Sequence, residues 1–212
     1  MRPATDSPAI VAAHAPKRTD DDVSDHPRLV LGPVQRYADE HHATVWVETD
    51  RPCEVEILGS TARTFTVAGH HYALVVVGGR RGSEATPYDV RLDGTLVWPE
   101  PDDPRPAPVI RGVEPDRPAT IAFGSCRAAA PDEEPWTLPA TQHSDGFGPD
   151  SLAAYSRQLQ TTPPQQWPDL LLLLGDQVYA DAASPATRRF ARQRRDTSEP
   201  PYGDVADFEE YT

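Results

Sequence analysis

Between Pro99 and Pro118 the chain carries seven prolines, at positions 99, 101, 104, 106, 108, 115 and 118. Proline fixes φ and has no amide donor, so this stretch cannot run as continuous β-ladder and reads as an extended linker. It separates two patterns that differ in kind. Upstream, from Arg28 to about Arg111, short β-rich runs recur between turn signals: Leu29 to Leu31, Ala43 to Thr49, Cys53 to Leu58, Thr64 to Ala68, Tyr72 to Val77, Tyr88 to Leu92 and Thr95 to Trp98. That spacing predicts an antiparallel β-sandwich. In Thr44-Val45-Trp46-Val47-Glu48-Thr49 and Glu54-Val55-Glu56-Ile57, apolar and polar residues alternate at period two, which puts one face of each strand on a core. Trp46 is expected in that core, and Asp93-Gly94 predicts a tight hairpin turn.

Downstream the pattern becomes strand, helix-bearing connection, strand. Thr120-Ile121-Ala122-Phe123 runs into Gly124-Ser125-Cys126, an amphipathic helix is predicted from Asp150 to Gln160 with Asp150 or Ser151 as N-cap, and Asp169 leads into Leu170 to Leu174. A short, fully apolar strand suits a parallel sheet covered on both faces, and parallel pairing needs a crossover of this kind. The expected organisation is a disordered leader over 1–27, a β-sandwich over 28–111, the end of the linker over 112–118 and a second, α/β domain over 119–212.

Charge and composition narrow the function classes. Against 33 Asp and Glu stand 20 Lys and Arg, a formal charge of −13, which disfavours broad attraction to nucleic acid or anionic lipid. Residues 1–27 are polar and acidic, with neither an apolar stretch nor a small-residue cleavage site, so no signal peptide is read. The longest apolar run, Leu170 to Leu174, is too short to span a bilayer. The expectations are a cytoplasmic location, no nucleic-acid or membrane partner, and two free thiols, Cys53 and Cys126.

In open α/β sheets ligands bind beyond the carboxyl ends of the strands. One predicted strand delivers Cys126 there; the other delivers Asp176 after Gly175, whose missing Cβ permits a sharp turn. The run Gly175-Asp176-Gln177-Val178-Tyr179-Ala180-Asp181 brings three oxygen donors into one corner. Carboxylates suit hard cations such as calcium. A phenol becomes a ligand near neutrality only beside a strong positive charge, so Tyr179 points to a trivalent metal such as ferric iron.

A strand ending Phe123-Gly124-Ser125-Cys126-Arg127, followed by a leucine-rich strand ending Gly175 to Asp181, resembles the alkaline phosphatase D-like family of calcineurin-like metallophosphoesterases over roughly residues 28–212. The resemblance implies a β-sandwich (immunoglobulin/fibronectin-like) followed by the start of an α/β metallophosphoesterase core. It implies hydrolysis of phosphate mono- or diesters with Fe3+ and Ca2+. Matched residue by residue, Cys126 would bind iron as thiolate, Asp176 would bridge metals, Tyr179 would bind iron as phenolate and Arg127 would contact substrate, with Asp181 close by. The family's pattern also includes a later asparagine and histidine-bearing loops. All seven histidines here, at 14, 26, 41, 42, 70, 71 and 143, precede Asp176. The expectation is a truncated phosphoesterase, inactive as this chain alone. The alternative is a noncatalytic β-sandwich binding module.

Two further groups are weighed. The pairs His41-His42 and His70-His71 are expected as solvated turn residues, because adjacent strand side chains point to opposite faces. Arg188, Arg189, Arg192, Arg194 and Arg195 are expected on a solvated helix or loop rather than against a phosphate.

Overall fold

The computed structural model describes residues 25–79, 85–103, 105–112, 116, 118–131, 133–177, 179–181 and 183–211. Almost all of the leader, linker residues 113–115 and 117, and Val178 lie outside these. The chain divides into two compact units, one of segments 24–127 and 151–179, the other, in its described part, of 128–150 and 180–211.

The first unit begins with β1 (Leu29–Ala38), β2 (Ala43–Thr49), β3 (Glu54–Ile57), β4 (Ser60–Arg63), β5 (Phe65–Val67), β6 (His70–Val77), β7 (Thr86–Pro87), β8 (Val90–Leu92), β9 (Thr95–Trp98) and β10 (Val109–Ile110). They form two four-stranded antiparallel sheets, ordered β1-β2-β6-β5 and β4-β3-β8-β9, with a small β10-β7 pair. Period-two alternation drives this arrangement: Val45, Val47, Val75 and Val77 of one sheet and Val55, Ile57, Val90 and Leu92 of the other are fully buried in one core. Each such side chain contributes about 1.5–3 kcal/mol relative to exposure. Two antiparallel sheets sharing a core are compatible with a β-sandwich. Cys53 is buried in this core, where desolvation pushes its thiol pKa up; both cysteines are free.

Trp46 departs from expectation. With Val45 and Val47 inward, the same alternation turns Trp46 outward, where its ring stacks on Tyr72 at 5.7 Å. Its size suggested the core, but register decides the face. His70 and His71 lie within β6 rather than in a turn, and His70 Nδ1 meets Glu48 Oε1 at 2.8 Å. That contact is why Glu48, on the outer face beside Trp46, is nevertheless buried.

Strand β1 extends well past Leu31 through Gly32-Pro33. Its place at the sheet edge lets Pro33 go without a ladder donor, and register shifts around Leu31 and Val34 absorb the irregularity. Gly32 has φ 91°, and a Cβ there would come within 2.8 Å of the Trp46 carbonyl oxygen. The proline-rich stretch is not wholly outside the ladder either. Val109–Ile110 pairs with Thr86–Pro87, and Ile110 is fully buried, so an apolar pair free of proline suffices for a short rung.

Beyond Pro118 the same unit holds β11 (Ile121–Gly124), α1 (Ser151–Thr161) and β12 (Leu170–Leu173). The strands pair in parallel, with Ile121 beside Leu170 and Gly124 beside Leu173, so the predicted strand–helix–strand order is present. Its burial is not as expected. Phe123 is 73% exposed and Leu170 to Leu174 are all exposed, because among the described residues the sheet has two strands and little to cover its faces.

At the amino ends of this pair Arg111 acts as a clamp. Its guanidinium donates to Asp169 Oδ1 at 2.7 Å and to the carbonyls of Pro164 and Trp167, while the other Asp169 oxygen accepts the Thr120 amide at 2.8 Å. The Gln35 side chain of β1 pairs with the Arg111 backbone amide and carbonyl. One residue thereby joins β1 to the start of both parallel strands.

In the second unit α2 (Pro185–Arg194) is capped by Ser184, whose hydroxyl accepts the Thr187 amide at 3.1 Å, with proline in its first turn. Arg194 reaches Asp207, and Arg195 holds the buried Glu210 of α3 (Phe208–Tyr211) through two hydrogen bonds of 2.7 and 3.0 Å. The Arg195 guanidinium keeps the Glu210 carboxyl below its ordinary range, and Asp207 and Glu210 occupy two of the five clustered arginines. No described helix is long and apolar enough to cross a membrane.

Candidate functional site

The site is built where β11 and β12 run out together. Past the last ladder rung the backbones stay in register: the Leu174 amide donates to the Gly124 carbonyl, Cys126 to Gly175 and Arg127 to Asp176, at 2.8, 3.3 and 2.8 Å. These bonds carry the two strand-end loops side by side, so their side chains meet on one rim. Both loops turn there through left-handed backbone, with φ of 55° at Cys126, 115° at Gly175 and 50° at Asp176. Glycine adopts such values freely; cysteine and aspartate do so at a cost, and strain of this kind collects at functional sites.

Asp176 is the hub. Its Oδ2 accepts from the Cys126 thiol at 3.7 Å and from the Tyr179 phenol at 3.3 Å. Ser125 Oγ lies 3.2 Å from Cys126 Sγ, and the Gln177 side-chain amide turns back to the Gly175 carbonyl at 2.6 Å. Cys126 and Asp176 are exposed, whereas Tyr179 and Arg127 are half-buried. Hydrogen bonding to Cys126, then desolvation and the Asp176 charge, push the Tyr179 phenol up to about 12. At that pKa the phenol is protonated near neutrality, and a cation in the corner would favour its phenolate form.

The structure therefore brings together Cys126, Asp176 and Tyr179, and ties Arg127 to the same rim through its backbone. Asp181 falls in the other unit. Among the described residues no group of three or more His, Cys, Asp and Glu is arranged to hold a metal; the converging set reaches three donors only by counting the phenol. One thiol, one carboxylate and one phenol fit part of a ferric ligand set. They do not fit calcium, which takes about six to eight oxygens, of which Asp176 is one source.

The left-handed turn at Cys126 and the Ser125 hydroxyl beside its sulfur were not foreseen from sequence. Gly124-Ser125 hints at a turn, but nothing in the residue types places the positive φ on the cysteine. The Arg111 clamp had no sequence signal, since its partners lie 53 to 58 residues away.

One known family matches, described as a domain of unknown function (DUF7800), over residues 26–110. The match spans β1 to β10 and stops short of β11. No curated protein and no solved structure matches the chain.

Proposed function

We propose that this chain carries the opening part of a metal-dependent phosphate ester hydrolase of the alkaline phosphatase D kind. Its front would be an immunoglobulin- or fibronectin-like β-sandwich, and its parallel pair the start of an α/β metallophosphoesterase core. The observation that carries the proposal is the meeting of Cys126, Asp176 and Tyr179 at the carboxyl ends of adjacent parallel strands. Those three would hold Fe3+. Bound there, the ion would activate water and polarise phosphoryl oxygens. Arg127, whose amide donates to the Asp176 carbonyl, would steady a phosphate ester through a bidentate guanidinium contact. Three converging donors leave two metal ions short of ligands, so this chain by itself is not expected to turn over substrate.

Ferric iron bound to a phenolate absorbs visible light. Protein loaded with Fe3+ should be coloured, Tyr179→Phe should remove the band, and Cys126→Ser should shift it, while the pure 212-residue chain should leave p-nitrophenyl phosphate esters intact. Robust metal-dependent hydrolysis by the chain alone would refute the incomplete-site reading.

A second reading is the noncatalytic binding module. It is favoured by the outer face of the β1-β2-β6-β5 sheet, where Tyr37, Phe65, Val67, Leu74 and Val76 stand exposed. A colourless, iron-free protein indifferent to Tyr179→Phe would select this second reading.

A further inference from the structure

Beside the rim lies a cavity of about 390 Å³, within the range of small-molecule sites. The parallel register puts Ala122 beside Leu171 and Gly124 beside Leu173, so these pairs share a face, and α1 brings Leu152 and Tyr155 to line the same space. Ala122 and Gly124 hold the cavity open: a Cβ added at Gly124 would meet no heavy atom within 4 Å. The walls are apolar along the strands and become polar at their carboxyl ends, where Ser125, Arg127 and Gln177 join the lining. Those three residues alternate with Cys126 and Asp176 along the two loops, so the polar end of the cavity adjoins the candidate metal corner.

We infer that this cavity receives the organic group of the phosphate ester, an alkyl or aryl moiety lying along the leucines with its phosphate at the Arg127 end. The inference rests on the phosphoesterase reading for the position of the phosphate. It narrows the substrate class to esters of apolar alcohols. The hydroxyls of a glycerol or sugar phosphate would lose water against Leu171 and Leu173, a desolvation penalty that disfavours them by about 10- to 100-fold.

Calorimetric titration of the full chain, without added metal, with n-octyl phosphate, n-octanol, glycerol phosphate and inorganic phosphate tests this. Octyl phosphate should bind at one site at least tenfold more tightly than octanol or glycerol phosphate. Ala122→Leu, which fills the cavity, and Leu173→Ser, which makes its wall polar without adding bulk, should each remove that advantage. Leu96→Thr, at an exposed position of β9, should leave it intact. Equal affinity for octyl and glycerol phosphate, or a preference that survives both cavity variants in folded protein, overturns the inference. Ferric loading of the same samples separates the two readings. A ferric band without octyl preference removes the cavity inference alone. Octyl preference lost in both cavity variants, in protein that binds no iron, supports an amphiphile site and removes the hydrolase reading.

Discussion

Cys126 and Asp176 pay a conformational cost that their neighbours do not. At φ of 55° and 50° each sits in the left-handed region, which costs a non-glycine residue about 1–2 kcal/mol. Neither side chain is buried, so packing does not return that energy. What the turn achieves is placement: it brings the Cys126 sulfur and the Tyr179 oxygen to one carboxylate oxygen. A turn held at that cost makes a specific prediction. Cys126→Gly should unfold in urea at least as late as the parent, while Cys126→Val, β-branched at the same φ, should lose about 1–2 kcal/mol. Equal stability of the two variants would mean that the turn relaxes and carries no strain.

At the scale of elements, the site depends on β11 and β12 keeping their register, because the parallel pair aligns Gly124 with Leu173 and so delivers Cys126 to Asp176. The Arg111 clamp governs the other end of both strands. Asp169 is 1% exposed at its side chain and Arg111 20%, so removing the arginine alone takes the charged partner away from a buried carboxylate. Arg111→Met should therefore cost about 3–5 kcal/mol in urea denaturation, whereas the double variant Arg111→Met, Asp169→Leu should recover most of it. Additive losses would show that the pair does not act as a unit.

The sequence shows such elements unevenly. Period-two alternation matches β3 to the residue and β2 but for its first, and Asp93-Gly94, with φ of 46° and 81°, turns as its residue types dictate. Leu58-Gly59 and Ala68-Gly69 make the same two-residue turn, with φ of 50° and 73° and of 50° and 88°, yet leucine and alanine are not turn formers, so both were read as strand. The short polar β4 was lost with them. For the site, residue types and order brought out Cys126, Asp176 and Tyr179. The clamp, the cavity and the strained φ values depend on tertiary contacts that no local pattern encodes.

At the scale of the whole molecule, two terms oppose each other. Leu170 to Leu174, Ile121 and Phe123 leave an exposed apolar sheet whose edges pair with no further strand among the described residues, a template for strand addition by another copy. Against this stands the formal charge of −13, which repels like molecules over a Debye length of about 30 Å at 0.01 M salt and about 3 Å at 1 M. Screening removes the repulsion and leaves the apolar attraction, so association should rise with salt, opposite to assembly driven by ion pairs. Sedimentation velocity at low and high salt measures this directly. Leu172→Lys, which adds a gatekeeping charge to β12, should hold the protein monomeric at salt concentrations where the parent associates, and the 119–212 segment expressed alone should be poorly soluble. A parent that stays monomeric at 1 M salt would require these strands to be covered in solution. The cavity beside them would then be closed as well, and octyl phosphate should show no preference.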